Sequence, residues 1–405
     1  MVEKKSNSQQ KNMPVKATTE TLLTESAKAP QKPTEKIIRV ISGVDKPFMI
    51  LVMVLVGFGI IAVASASYSY AEMTQGDSYY FTKKHIAFAV VGVICMLGLS
   101  YFDYRFLKKL AIPVWVVSIL LCLAVWTPLG HSSGGARRWL NLGLFTFQPS
   151  EVLKFGVILM CARYAANAKE KIKRKRSIIY YALIVVVSIG ALVIQPHLSG
   201  SIIIFGLVFC MIIMSGVRIS VILPLVGVGI AGATVALTKF AHAMARLSVW
   251  YDPFDPLYFK NDGWQPAQSL FAIASGGLLG VGLGQSNQKD GYIPEPQNDY
   301  IFSIICEEMG FIGAVGVILV FAALIWRGMY IAKRAPTVFS SLLVAGIVCQ
   351  IAIQAVLNIA VVTNTLPSTG ISLPFLSSGG TSLTILLAQM GFVLSASRHS
   401  IVEQG

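Results

Sequence analysis

From Pro47 onward the chain alternates long apolar runs with short polar connections. The runs are Pro47–Ser67, His85–Tyr101, Leu110–Leu129, Pro149–Ala166, Ile178–Ile194, Ser199–Gly216, Val221–Ala241, Tyr300–Trp326, Phe339–Val362 and Thr381–Ala396. About twenty residues is the length a helix needs to cross the hydrocarbon core of a bilayer. A backbone in lipid must satisfy its own hydrogen bonds, so unbroken runs of this kind select helices, whereas a barrel shows alternating segments of about ten residues. The pattern predicts an all-α polytopic membrane protein of about ten transmembrane helices, with a large extracellular loop, residues 242–299, between spans 7 and 8. Residues 1–44 read as a separate tail and residues 45–405 as the membrane domain.

Composition agrees: 55% of the 405 residues are hydrophobic and 13% charged. The tail is rich in Lys, Thr, Ser, Gln and Pro and has too few large apolar side chains to bury a core, which predicts a disordered basic segment. The first apolar run lacks a short h-region with a small-residue cleavage site, so it reads as a first span and not as a signal peptide. The formal charge of +14 would suggest nucleic acid in a soluble protein. Here the basic residues sit in short connections: Arg105, Lys108 and Lys109, the run "AKEKIKRKRS", then Arg327, Lys333 and Arg334. That bias marks one side as cytoplasmic, puts both termini there, and argues against nucleic acid as a partner; Lys83 and Lys84 fall on the other side. The six cysteines all lie within apolar runs and none has metal-site spacing, so neither a disulfide nor a zinc site is expected.

With that orientation three unusual connections lie outside: "GHSSGGARRWLNLGLFTFQPSE", the loop 242–299, and "LPSTGISLPFLSSGG". They hold most of the unusual polar residues, so any chemistry is expected there. Asp299 stands where the long loop enters a span. One reading makes it an N-cap; the other makes it a general base at the membrane surface, taking a proton from a hydroxyl on a lipid-anchored substrate. Glu307 and Glu308 lie deeper in the same run and, with Glu151 and Lys154, form a candidate intramembrane charge cluster, because buried charges are paired or functional. Lys154 is expected to pair with Glu151, Glu307 or Glu308. Arg137 and Arg138 beside Trp139 read either as interfacial anchors or as guanidinium donors to phosphate. Arg246 and Lys289 add cations to the same side. The glycine-rich "ASGGLLGVGLGQS" follows no strand and so does not read as a nucleotide-binding loop. His197 reads as an interfacial polar group or a proton relay. The Pro- and Gly-rich "LPSTGISLPFLSSGGTS" cannot be a smooth helix and is tolerated at membrane depth only where it lines a cavity or is buried in protein.

Taken together, "GARRWLN…FQPSEVLK", "QSLFAIASGGLLGVGLGQSNQKDGYIPEPQNDYIFSIICEEMGFIG" and "LPSTGISLPFLSSGGTSL" resemble the SEDS (shape, elongation, division, sporulation) family, the division and sporulation type (FtsW/SpoVE) more than the elongation type. The resemblance spans the membrane portion in order. It implies a ten-span, glycosyltransferase-C-like enzyme that polymerises lipid II into a nascent glycan strand at the outer face of the bacterial cytoplasmic membrane, with Asp299 matching the family's essential aspartate. It implies inversion at the donor carbon, with Arg137, Arg138, Arg246, Lys289 and Glu295 as candidates for binding the substrate and its pyrophosphate, or a divalent cation (Mg or Mn) as countercharge. It also implies a class B penicillin-binding protein as transpeptidase partner, alongside division or sporulation proteins. The chain departs from the family pattern at His197, where an Asp is usual, and at "QNDY", where "HTDF" is usual. A lipid II flippase is the alternative function, since ten helices with buried charges also suit transport.

Overall fold

The computed structural model describes residues 43–133, 136–143, 145–174, 176–217, 227, 229 and 241–399. Among them the chain is mainly helical: α1 (Lys46–Gln75), α2 (Tyr80–Tyr101), α3 (Arg105–Ala124), α4 (Pro149–Ala168), α5 (Ser177–Val193), α6 (Leu198–Met214), α7 (Ala241–Tyr251), α8 (Trp264–Gly276), α9 (Ile301–Lys333), α10 (Val338–Val362) and α11 (Thr381–Arg398). Five of these, α1, α2, α3, α9 and α10, are long and apolar enough to cross a membrane. The tail and nearly all of the expected Val221–Ala241 span lie outside the described residues.

The expectation of an all-α chain needs one correction. Gly130–Ser133 (β1), Ala136–Asn141 (β2) and Thr146–Phe147 (β3) form a small antiparallel sheet in the order β1-β2-β3. The segment is too short and too polar to register among apolar runs, but its ends are close in sequence, so a meander satisfies its backbone locally. Thr381 at the start of α11 donates to the Thr146 carbonyl (3.1 Å), which anchors the sheet to the bundle.

Helices α4 and α10 form the centre. From Leu153 to Ala162 every residue of α4 is buried, as expected of a helix apolar on all sides. The outer helices instead leave large apolar side chains exposed, such as Ile50, Ile94, Leu120 and Ile179, as a lipid-facing surface requires. Close approach between helices uses glycine: a Cβ on Gly156 would stand 3.1 Å from the Trp115 Cα, and one on Gly391 would stand 2.6 Å from the Met96 carbonyl oxygen. Small residues of this kind let membrane helices pack backbone to backbone.

At one end of the bundle Asp45 caps α1 by accepting from the Phe48 N–H (2.9 Å). Its carboxylate also pairs with Arg327 of α9 (2.8 Å), and its own N–H donates to the Ser397 hydroxyl of α11 (3.1 Å).

Helix α9 is broken near its other end. Gly310 has φ 65° and ψ −167°, a conformation open to glycine and strained for other residues. The segment after α8 fills the break: the Val281 and Gly282 N–H groups donate to the Glu307 and Glu308 carbonyls (2.9 and 3.0 Å), and Phe311 and Ile312 donate to the Gly277 and Leu278 carbonyls (2.9 and 3.2 Å). The backbone groups freed by the break are thereby paired, which lipid demands. The glycine-rich run after α8 is thus a packing element, and a Cβ on Gly280 would collide with the Glu308 carbonyl.

Candidate active site

Asp299 lies in the turn that leads into α9, and it is not the cap of that helix. The N-cap position is Tyr300, which makes no side-chain capping bond. Its carboxylate instead lies beside Gly370, where a Cβ would stand 3.6 Å from the Asp299 Oδ2; Gly370 has φ 65°. The packing around the carboxylate, helped by Glu295 nearby and opposed by the residue's own backbone N–H and by Arg246, pushes its pKa up to about 6. Desolvation penalises the charged form of a carboxylate, so this is the direction burial dictates.

The irregular segment 363–380 forms the wall opposite Asp299 and is held from several sides. Asn358 of α10 donates to the Asp299 and Ile371 carbonyls (2.7 Å each). The Ser378 N–H donates to the Gln297 carbonyl (2.8 Å). Arg246 of α7 donates to the Ser368 carbonyl (3.2 Å), and the Ser199 hydroxyl at the start of α6 donates to the Thr369 carbonyl. These ties give a segment without regular secondary structure one defined course.

Arg138, on β2, donates to the Pro196 carbonyl (2.8 Å). It is near enough to Arg246 that burial and the like charge both lower its pKa. Neither guanidinium has a carboxylate partner within 4.0 Å among the described residues. Several buried polar atoms have no partner among the described residues, including Arg138 Nε, His197 Nδ1, Thr369 Oγ1, Tyr300 Oη and Ser150 Oγ; of these, His197 feels the Arg138 charge and Tyr300 that of Arg246. His197 touches Gln148 (3.4 Å). Burial, reinforced by Arg138 and Lys154, pushes its pKa down to about 3, so the ring is neutral at ordinary pH. Buried polar groups are normally bonded, so each of these atoms is left with unused hydrogen-bonding capacity.

The other candidates are distributed differently. Arg137 is exposed on β2. Glu295 is exposed with φ 48° and accepts from the Asn298 side chain (2.7 Å). Lys154 pairs with Glu151 (2.8 Å), the first of its three expected partners. Glu307 accepts from the Ser286 hydroxyl and from the Asn287 N–H (3.1 Å). Lys289 turns inward: it is 5% exposed and pairs with Glu308 (3.0 Å) while donating to the Ser65 hydroxyl (3.2 Å). Its charge is therefore committed to Glu308. Among the described residues no group of three or more His, Cys, Asp or Glu side chains gathers as a metal site.

Fold and site together define a helical membrane protein in which Asp299 and Arg246 lie close to one another beside the irregular segment 363–380. The chain belongs to the FtsW/RodA/SpoVE cell cycle protein family, whose model matches residues 46–401. It is 38% identical over 337 residues to stage V sporulation protein E of Bacillus subtilis, covering 82% of this chain and 90% of that one. It is 36% identical over 324 residues to a probable peptidoglycan glycosyltransferase FtsW of a Geobacter species, covering 79% and 88%. Among solved structures it resembles a chain from a study of the structural coordination of polymerization and crosslinking by a peptidoglycan synthase complex, with TM-score 0.73, 26% identity and coverage of 88% and 98%. It also resembles the rod shape determining protein RodA of Thermus thermophilus, with TM-score 0.64, 25% identity and coverage of 88% and 97%.

Proposed function

We propose that this chain is a peptidoglycan glycosyltransferase that polymerises lipid II at the outer face of the cytoplasmic membrane, with about ten spans and both termini inside. A glycosyl transfer made outside the cell has no nucleotide sugar to draw on, so the donor must carry its own leaving group, and a polyprenyl pyrophosphate does. Asp299 takes the proton from the 4-hydroxyl of the acceptor GlcNAc. That oxygen attacks the donor anomeric carbon from the face opposite the pyrophosphate, the bond to the pyrophosphate breaks, and the new linkage is inverted. Arg138 and Arg246 stabilise the negative charge that develops on the departing pyrophosphate. A class B penicillin-binding protein cross-links the strands so made.

The observation that carries this reading is a carboxylate with no capping duty, raised to about 6 and within electrostatic reach of the Arg246 guanidinium, which in turn lies near Arg138. A base with this affinity is ionised at neutral pH and still accepts a proton readily. Transport is less well supported, because among the described residues the buried lysines are closed in ion pairs, Lys154 with Glu151 and Lys289 with Glu308, and the remaining deep carboxylate, Glu307, is held by the Ser286 hydroxyl and the Asn287 N–H.

The test is polymerisation of lipid II by the purified full-length protein. Asp299→Asn keeps shape and removes basicity; the expected loss is on the order of 10²-fold or more at unchanged thermal stability. The wild-type rate should rise with pH through about 6, as Asp299 gives up its proton. An Asn variant that stays folded and makes strands at above about a tenth of the normal rate removes Asp299 as the base. Translocation of lipid II in vesicles without strand formation would favour the flippase.

A further inference from the structure

A base is effective only if its carboxylate is held at a fixed place relative to the hydroxyl, and small displacements are costly in rate. Asp299 precedes a helix that its side chain does not cap, so its position must come from elsewhere. Asn358, near the end of α10, is fully buried. The two N–H bonds of its amide reach two carbonyls, Asp299 and Ile371, each at 2.7 Å. Burying an amide in an apolar helix is unfavourable unless its donors are used, and here both are used on the two strands of chain that bracket the carboxylate. Ile371 follows Gly370, the residue against which the Asp299 Oδ2 rests. One nitrogen thus sets the separation between the aspartate's main chain and the wall its carboxylate faces. Few other charges act there: Glu295 on the same segment and Arg246 on α7, while α8, α10 and residues 366–380 carry no charged side chain.

We propose that Asn358 is a positioning residue for Asp299: by bridging the Asp299 and Ile371 carbonyls it fixes the carboxylate against Gly370, in the sheltered pose from which it takes the acceptor proton. The inference rests on Asp299 as the base. If the bridge is lost, the turn before α9 and the Gly370 wall separate, water reaches the carboxylate, and Asp299 returns towards ordinary carboxylate behaviour.

The experiment measures lipid II polymerisation by full-length Asn358→Ala and Asn358→Ser from about pH 5 to about pH 8. Ser keeps a polar group in the buried slot, but its single hydroxyl cannot span both carbonyls. The expected result is a kcat lower by about 10-fold to 100-fold with KM for lipid II within about threefold, and an acid limb moved to lower pH. A kcat within about twofold of wild type overturns the proposal. So does a loss of rate with the acid limb unmoved, since general loosening would do that, and so does failure of both variants to fold, which would make Asn358 a requirement of the fold. An active Asp299→Asn variant defeats the base assignment by itself. An inactive one beside unshifted Asn358 variants defeats only the positioning role.

Discussion

Arg138 and Arg246 are neighbouring like charges with the Asp299 carboxylate acting on Arg246, an arrangement that a further anion would relieve. Replacing Arg138 with Lys retains the charge but removes the planar fork that matches phosphate. Arg138→Lys should therefore lose rate by about 10-fold, and Arg138→Ala by more, with lipid II turnover in detergent as the readout and unchanged melting temperature as the control. A charge-only role would leave the Lys variant near wild type. Single residues of the site were unevenly legible in the sequence. Asp299 stood out because a carboxylate at the mouth of an apolar run is conspicuous, although the sequence left capping open until the structure gave that position to Tyr300. Asn358 did not, because one amide inside "VLNIAVV" has no local pattern, and its meaning lies in carbonyls 59 and 13 residues away. The pairing of Lys289 with Glu308 was not legible for the same reason, since Glu308 is brought to it only by the turn of chain that fills the break in α9.

At the scale of elements that break is decisive. Gly310 combines a positive φ with contact to the Gly277–Gly282 segment, so Gly310→Ala adds backbone strain and a collision with Gly280 together. The variant should lower the melting temperature and the rate together, by an amount larger than the roughly 1 kcal/mol expected of a glycine replaced in an unstrained helix. The ion pair beneath it gives a second measurement. Lys289→Met leaves Glu308 buried without its cation, which costs about 3–5 kcal/mol, whereas adding Glu308→Leu removes the orphan charge and should recover most of the loss. Thermal unfolding in detergent compares the two; equal destabilisation by the single and the double variant would show that the pair is not acting as a unit. Helix positions were readable from apolar length, and α4, α6 and α10 begin within one residue of the runs that marked them. The insertion at Gly310 was not, because hydropathy carries no information about which segment repairs a broken ladder. The sheet between α3 and α4 was missed because its strands are held by their own turns and not by burial.

For the whole molecule, the junction of Asp45 with Arg327 and Ser397 sets the order in which the protein can be completed. The first helix has its cap within three residues, yet its other two contacts there lie 282 and 352 residues further along the chain. Helix α2 likewise waits for α11, whose Thr384 and Ser395 hydroxyls donate to the Phe88 and Phe102 carbonyls (3.1 and 2.5 Å). During synthesis α1 and α2 therefore enter the membrane long before the surfaces that complete them exist, and contacts so distant in sequence are slow to form. Until the ribosome has delivered α11, the face of α2 against which Gly391 packs must be shielded by lipid or by insertion machinery. A chain stopped before Thr381 should accordingly be inserted but short-lived, degraded several times faster than the full chain in a pulse-chase experiment. Supplying residues 381–405 as a separate membrane segment should restore part of its lifetime.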